Sequence, residues 1–304
     1  MLERYDSILI GGSGFVGTQL ARHLVAAGER VLNLSRHQTK EPVSGVDFAQ
    51  IDFKNQESLT DFILPQADSI IILIGQVGPA FDSESDRQAL QAIVNLVNAQ
   101  ANPIKVLYCS TALVYGNCNK PALESDPLRP IEPYAIHKSE NENFLKKHLA
   151  PQHSLGILRL SNVFGDIQGR GFVSLIMNRL LVPGTDVFRV NGDGDQERDY
   201  IYVDDLAGAI TSVKGGLKGQ DTVNIATGES WSLIAVLDTV QSVSGKELLF
   251  KVTHKPVVEA VKIQISNDHL RERYGYTPRH TFVDGLKLMW ERACTVKTSR
   301  QTRN

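Results

Sequence analysis

The chain has 304 residues, 42% hydrophobic and 22% charged, with a formal net charge of −2 at pH 7. This is the balance of one large or two intimate soluble domains, and so small a charge gives no general electrostatic handle for nucleic acid or an anionic membrane. The three cysteines, Cys109, Cys118 and Cys294, form no disulfide or metal pattern and point to a reducing compartment, while the longest apolar run, residues 70–74, is far too short to span a bilayer.

Taken in chain order, Ile8, Leu9 and Ile10 read as a short buried strand. Gly11, Gly12, Ser13, Gly14, Phe15, Val16 and Gly17 follow at once. Residues 19–27 then alternate polar and apolar with helical spacing, and Gly28 stands where a helix C-cap glycine belongs. Strand, glycine turn and helix in this order aim the first helical N–H groups at an anion, and the helix dipole favours a pyrophosphate there. Glycine is needed because a Cβ would block the turn or hold the phosphates off the backbone. A dinucleotide site is therefore expected at Gly11, Ser13, Gly14, Phe15, Val16 and Gly17.

Val31, Leu32 and Leu34 make a second strand ending at Ser35, Arg36 and His37. At this tip an acidic residue holds the ribose 2′-hydroxyl of NAD, whereas arginine suits the 2′-phosphate of NADP. No acid is present; Ser35 offers a hydroxyl and Arg36 a guanidinium, so NADP(H) is the expected cofactor, with NAD(H) as the alternative. Asp52, with Phe53 beside it, follows strand 48–51 and is expected at the adenine edge. The run 70–74 reads as a strand buried on both faces, and Gly75 lets the cofactor backbone pass closely. A helix over 89–99 and a strand over 106–108 continue the alternation, which predicts an α/β doubly wound parallel sheet with ligands at the strand carboxyl ends.

That last strand runs into Cys109, Ser110 and Thr111. After a proline-rich stretch, Tyr134 and Lys138 open a helix that continues through Leu149. Four residues apart, the two share a helix face. An ammonium near a phenol favours the phenolate, lowering a tyrosine pKa from about 10. Tyr134 thus becomes an acid–base candidate, with Lys138 tuning it and able to hold ribose hydroxyls. Asn191, Gly192, Asp193 and Gly194 signal a turn. Residues 233–242 read as a helix with an apolar core-facing stripe, Trp231 and Trp290 as packing residues, and 295–304 as a flexible tail.

Five segments together resemble the extended short-chain dehydrogenase/reductases, the group of nucleotide-sugar epimerases, dehydratases and reductases. They are the Gly11/Gly14/Gly17 loop; Thr111 with Val114, Tyr115 and Gly116; Tyr134 with Lys138; Leu158 and Arg159 with Asn162, Val163, Phe164 and Gly165; and the run from Arg198 to Asp205. The likeness runs from Ile8 to about Gly285. It implies a Rossmann-type domain over 1–164 with a returning segment at about 197–226. A smaller C-terminal α/β substrate-binding domain would comprise 165–196 and 227–294. The cysteine usage and the short apolar runs predict a cytoplasmic location, and the likeness further implies a homodimer built through helices 87–99 and 134–149, with a nucleotide-sugar substrate. In that family Thr111 would hydrogen-bond the reacting sugar oxygen, Tyr134 would move its proton, and Lys138 would bind the nicotinamide ribose. Asn162 and Arg198 would approach the substrate diphosphate, a task that suits the bidentate guanidinium.

Departures from the family pattern narrow the reaction. Ala112 and Leu113 stand where related 4,6-dehydratases carry an Asp-Glu pair and where bifunctional 3,5-epimerase/4-reductases place a cysteine. Neither residue carries a proton, so hydride transfer at one carbon, C4, is what remains. The Ser35-Arg36 tip favours NADPH-dependent reduction of an NDP-4-keto-(6-deoxy)hexose in glycan-precursor synthesis. The alternatives are an NAD-dependent nucleotide-sugar 4-epimerase and, in another class, a non-catalytic dinucleotide-binding sensor or assembly protein. The intact set of Thr111, Tyr134 and Lys138 argues against the last.

Overall fold

Each apolar run of the N-terminal half is a parallel strand in the computed structural model, which describes residues 4–55, 57–75, 82–167, 169, 171–182, 187–256 and 260–301, with side chains through 295. The order is β1 (Arg4–Ile10), α1 (Phe15–Ala26), β2 (Val31–Ser35), β3 (Val46–Gln50), β4 (Gln66–Ile72), α2 (Ser83–Asn98), β5 (Lys105–Thr111), α3 (Pro133–His148) and β6 (Ser154–Leu160). The chain then leaves the sheet for β7 (Asn162–Phe164), α4 (Phe172–Leu181), β8 (Phe188–Val190) and β9 (Glu197–Tyr202), and returns through α5 (Val203–Gly216) to β10 (Gln220–Ile225). β11 (Ser230–Ser232), α6 (Leu233–Ser244), β12 (Phe250–Val252), α7 (Asp268–Tyr274) and α8 (Phe282–Gln301) follow.

Seven strands form one parallel sheet in the order β10-β6-β5-β4-β1-β2-β3, the doubly wound α/β fold that the pattern predicts. Ile8, Leu9 and Ile10 pair with Ile70, Ile71 and Ile72, and all six are at most 1% exposed. Side chains alternate between the faces of a strand. Ile8 and Ile10 therefore join the core under α2 and α3, while Leu9 joins the one under α1 and α5. Strand order reverses between β1 and β4, which opens a crevice at their carboxyl ends. β7, β9 and β11 form a separate three-stranded sheet, and β8 pairs with β12. Phe164, Tyr200 and Tyr202 of the small sheet pack on Phe282, Leu286 and Met289 of α8.

The strands extend or shift by a few residues from expectation, and three helix boundaries differ for identifiable reasons. α1 starts at Phe15 rather than 19, because Gly14 with extended backbone is its N-cap and the glycines hide the helical period. α2 starts at Ser83 rather than 89: the Asp82 carboxylate accepts from Ser85 N at 3.2 Å, and acidic residues in the first turn suit the dipole. α8 continues to Gln301 where a flexible tail was expected from 295. No glycine or proline interrupts residues 295–301, and extending an established helix avoids the cost of nucleation.

Beneath the carboxyl edge of β5 lies a buried ion pair. The Arg159 and Glu142 side chains are 3% and 0% exposed and meet at 2.8 Å. Ser110 Oγ donates to Glu142 Oε1 at 2.5 Å, and Arg159 Nη1 donates to Tyr115 Oη at 2.8 Å and to the Glu124 carbonyl at 3.1 Å. Tyr115 in turn donates to Asn224 Oδ1 at 2.7 Å. Removing one member strands a desolvated charge, so Arg159→Ala is expected to lower the unfolding free energy by about 3–5 kcal/mol. The double change Glu142→Met/Arg159→Met should regain part of that loss in denaturant titrations. A double variant less stable than both single ones would show that the pair itself supplies net stability.

Candidate active site

The glycine turn divides its work among three positions. Gly11 has φ +79° and turns the chain out of β1. A Cβ on Gly17 would lie 2.4 Å from the Gly12 Cα and carbonyl oxygen, so this glycine lets α1 pack against the turn. A Cβ on Gly14 would meet no protein atom within 4 Å, which leaves the backbone open to a large ligand. α1 has no side-chain cap and no acid in its first turn, so its leading N–H groups and dipole are directed at an anion. This cradle fits a pyrophosphate.

The turn borders a cleft of about 940 Å³, the size of a cofactor site. Gly11, Ser13, Gly14 and Phe15 line it together with Ser35, Arg36, Asp52, Phe53 and Gly75, and Ser13 Oγ donates to the His37 carbonyl at 2.5 Å. Two members of the expected loop point elsewhere: the Val16 side chain joins the core between the sheet and α5, and Gly17 packs on Gly12. At the β2 tip, the Ser35 hydroxyl is buried and donates to Asn33 Oδ1 at 2.8 Å. Asn33 Nδ2 in turn donates to Ser13 Oγ at 3.0 Å. Ser35 therefore braces the glycine loop through Asn33, while both it and Arg36 border the cleft. The one signal for Asn33 in the sequence is an amide within an otherwise apolar strand. Around the cleft, Arg22 pairs with Glu41 and Lys54 with Asp86; Arg36 and Lys40 form no ion pair among the described residues.

Thr111 ends β5, and its Oγ1 accepts from Leu113 N at 3.3 Å. Tyr134 and Lys138 approach from α3. Lys138 is buried, and its Nζ donates to the Ile74 carbonyl at 3.0 Å and the Cys109 carbonyl at 2.8 Å. It lies 4.5 Å from the centre of the Tyr108 ring and 5.8 Å from that of Tyr134. Gly75, at φ +133°, makes this possible, since a Cβ there would sit 2.7 Å from Lys138 Nζ. Tyr134 and Lys138 thus abut the wall of the cleft, joined to it through Gly75.

The electrostatics correct one expectation. Burial pushes the Tyr134 phenol above its usual range, and Cys109 and Asp86 nearby add to the rise. Lys138 does not reverse this in the chain alone; burial depresses its own ammonium from 10.5 to about 8. Burial outweighs the attraction that the four-residue spacing promised. Asn162 is exposed on β7. Arg198 is buried, with Nη1 donating to the Glu197 and Val261 carbonyls at 2.9 and 3.2 Å. Both belong to the small sheet, and neither lines the dinucleotide cleft. Asp199, inside the same motif, is buried and accepts from Gly228 N at 2.7 Å, and desolvation raises its carboxyl to about 6.

A lysine titrating near 8 in the folded chain and 10.5 in the unfolded one makes stability rise with pH across that window, because the unfolded state binds more protons there. Below pH 8 the buried ammonium opposes folding. Lys138→Met should therefore raise the unfolding free energy at pH 7 by about 1–3 kcal/mol, with wild type regaining ground between pH 8 and 10.5. A variant less stable than wild type at pH 7 would show that the two carbonyl hydrogen bonds outweigh desolvation.

Comparison with known proteins accords with this geometry. Residues 7–226 match the model of the NAD dependent epimerase/dehydratase family. The UDP-glucose 4-epimerase of Azospirillum brasilense is 28% identical over 323 residues, covering 94% of this chain and 92% of its own. The dTDP-6-deoxy-L-talose 4-dehydrogenase (NAD(P)(+)) of Kitasatospora kifunensis is 25% identical over 306 residues, covering 93% of each. Among solved structures, UDP-glucose 4-epimerase of Thermus thermophilus, in complex with NAD, superposes with a TM-score of 0.82 at 24% identity, over 95% of this chain and 98% of that one. The chain therefore belongs to the NAD dependent epimerase/dehydratase family, as an enzyme of the extended short-chain dehydrogenase/reductase type.

Proposed function

We propose that the chain transfers hydride at C4 of a nucleotide-linked sugar and that its net reaction is 4-epimerisation. The observation that carries this reading is the placement of Tyr134 and Lys138 against Gly75, at the wall of the dinucleotide cleft, with Thr111 at the carboxyl end of β5. The names of its relatives favour 4-epimerisation over one-way reduction. The bound dinucleotide supplies the hydride acceptor and donor and, when oxidised, a positive charge. Gly11, Ser13 and Gly14 hold its pyrophosphate, Asp52 and Phe53 border the adenine, and Lys138 holds ribose hydroxyls. Thr111 orients the sugar oxygen, while Tyr134 takes its proton and returns it. Ala112 and Leu113 carry no proton for elimination. Asn162 and Arg198 are proposed at the substrate diphosphate; family likeness supports a homodimer built through α2 and α3, and the cysteine usage supports a cytoplasmic location.

A second reading is favoured by one observation. Arg36 and Lys40 line the adenosine end of the cleft without ion-pair partners among the described residues, and no acid stands at the β2 tip. Two free cations suit a 2′-phosphate, which supports an NADPH-dependent C4 reductase.

Tyr134→Phe is expected to lower kcat by about 10²–10⁴-fold while dinucleotide affinity stays within about threefold of wild type. Near-normal turnover would exclude the mechanism. Retained NAD that interconverts C4 epimers without net oxidation supports the epimerase. Net NADPH consumption with a 4-keto sugar nucleotide, together with an NADPH preference removed by Arg36→Ala, supports the reductase. Dinucleotide binding without turnover on either substrate class overturns both in favour of a non-catalytic role.

A further inference from the structure

We infer that α8 forms one wall of the dinucleotide cleft and that Arg292 is a ligand of the cofactor pyrophosphate; this rests on reading that cleft as the dinucleotide site. Met289, Arg292 and Ala293 line the cleft together with Gly14 and Phe15. Residues three and four apart on a helix share a face, so α8 presents this face to the glycine turn. Arg292 is 54% exposed, and its Nη2 stands 3.5 Å from Asp204 Oδ2. That is a long one-pronged ion pair, not the two-pronged pairing in which guanidinium and carboxylate bind best, and the guanidinium also lies 5.8 Å from the centre of the Tyr202 ring. Asp204 is held more closely from the other side, where Gln19 Nε2 donates to its Oδ1 at 2.5 Å. Gln19 lies one turn beyond Phe15, the first residue of α1. Arg292 is thus tethered through two side chains to the helix end that faces the phosphates.

The charge balance at that end calls for such a residue. A pyrophosphate diester carries two negative charges at neutral pH, whereas a helix N-terminus offers only about half an elementary charge. The first turn of α1, Phe15 to Thr18, contains no cation. A half-exposed guanidinium across the cleft adds a full charge with donors to spare, and Asp204 parks it there until a stronger anion arrives.

The test uses the full-length protein freed of bound nucleotide, titrated with NADH, NADPH and ADP-ribose by fluorescence or calorimetry. Arg292→Met should weaken all three by about tenfold or more, the worth of a charge-assisted hydrogen bond. Arg292→Lys should fall between, because it keeps the charge without the fork. Asp204→Asn, which removes the ion pair and leaves Arg292 beside the Tyr202 ring, should bind all three as tightly as wild type or more tightly. Unchanged affinities with melting temperatures lowered alike in Arg292→Met and Asp204→Asn would make the pair purely structural and overturn the inference. Loss confined to NADPH would move Arg292 to the 2′-phosphate, and loss sparing ADP-ribose would move it to the nicotinamide; either overturns the pyrophosphate assignment. Wild-type protein that binds none of the three would overturn the dinucleotide reading itself, and the inference with it.

Discussion

The site depends on one buried pair of charges. Arg159 on β6 and Glu142 on α3 are both out of water, an arrangement tolerable only when every remaining donor and acceptor is engaged. Ser110, Tyr115 and the Glu124 carbonyl meet that demand. In doing so they fix three segments against one another. Ser110 immediately precedes Thr111, and Glu142 lies one helical turn beyond Lys138. The pair therefore sets where the end of β5 stands relative to the face of α3 that carries Tyr134 and Lys138. The proposed chemistry needs that registration, since a proton-transfer partner must come within hydrogen-bond reach.

The opposite side of the cleft follows a different logic. There, small residues let backbone and ligand approach: Gly11 for the turn, Gly14 for an open face, and Gly75 for the seat of Lys138. Between the charged brace and the glycine seat, Lys138 is held dry enough to titrate near 8. A lysine so placed weakens the fold at neutral pH, and structures keep such groups where function requires them. Tyr134, raised by the same burial, waits for charge that the chain alone does not supply.

Much of this was legible in the sequence. The unbroken apolar runs and the helical spacing between them, together with the glycine loop, specified the doubly wound sheet, because strands buried on both faces read as runs such as 70–74. Spacing joined to family likeness singled out Thr111, Tyr134 and Lys138, and the fold places Tyr134 and Lys138 together against Gly75. Other features were not legible. The helix starts at Phe15 and Ser83 were hidden, one by glycine and one by polar capping residues. Asn33 carries no sequence signal beyond an amide among apolar neighbours, and its role comes from its partners, Ser13 and Ser35. The direction of the Tyr134 shift depends on burial, which spacing does not report. Arg292 is far from the glycine turn in sequence and reaches it only because α8 packs beside the small sheet.

The excursion of the chain out of the large sheet also bears on how the protein is made. β6 is complete by Leu160, yet its outer neighbour β10 spans Gln220–Ile225 and docks in parallel register, Leu155 against Gln220. During synthesis, the backbone N–H and C=O groups along one edge of β6 stay unpaired until β7, α4, β8, β9 and α5 have emerged. Unpaired edges of this kind invite association between chains. The vulnerable interval in the life of this protein is the passage of residues 161–219 through the ribosome, and chaperone protection matters most during it.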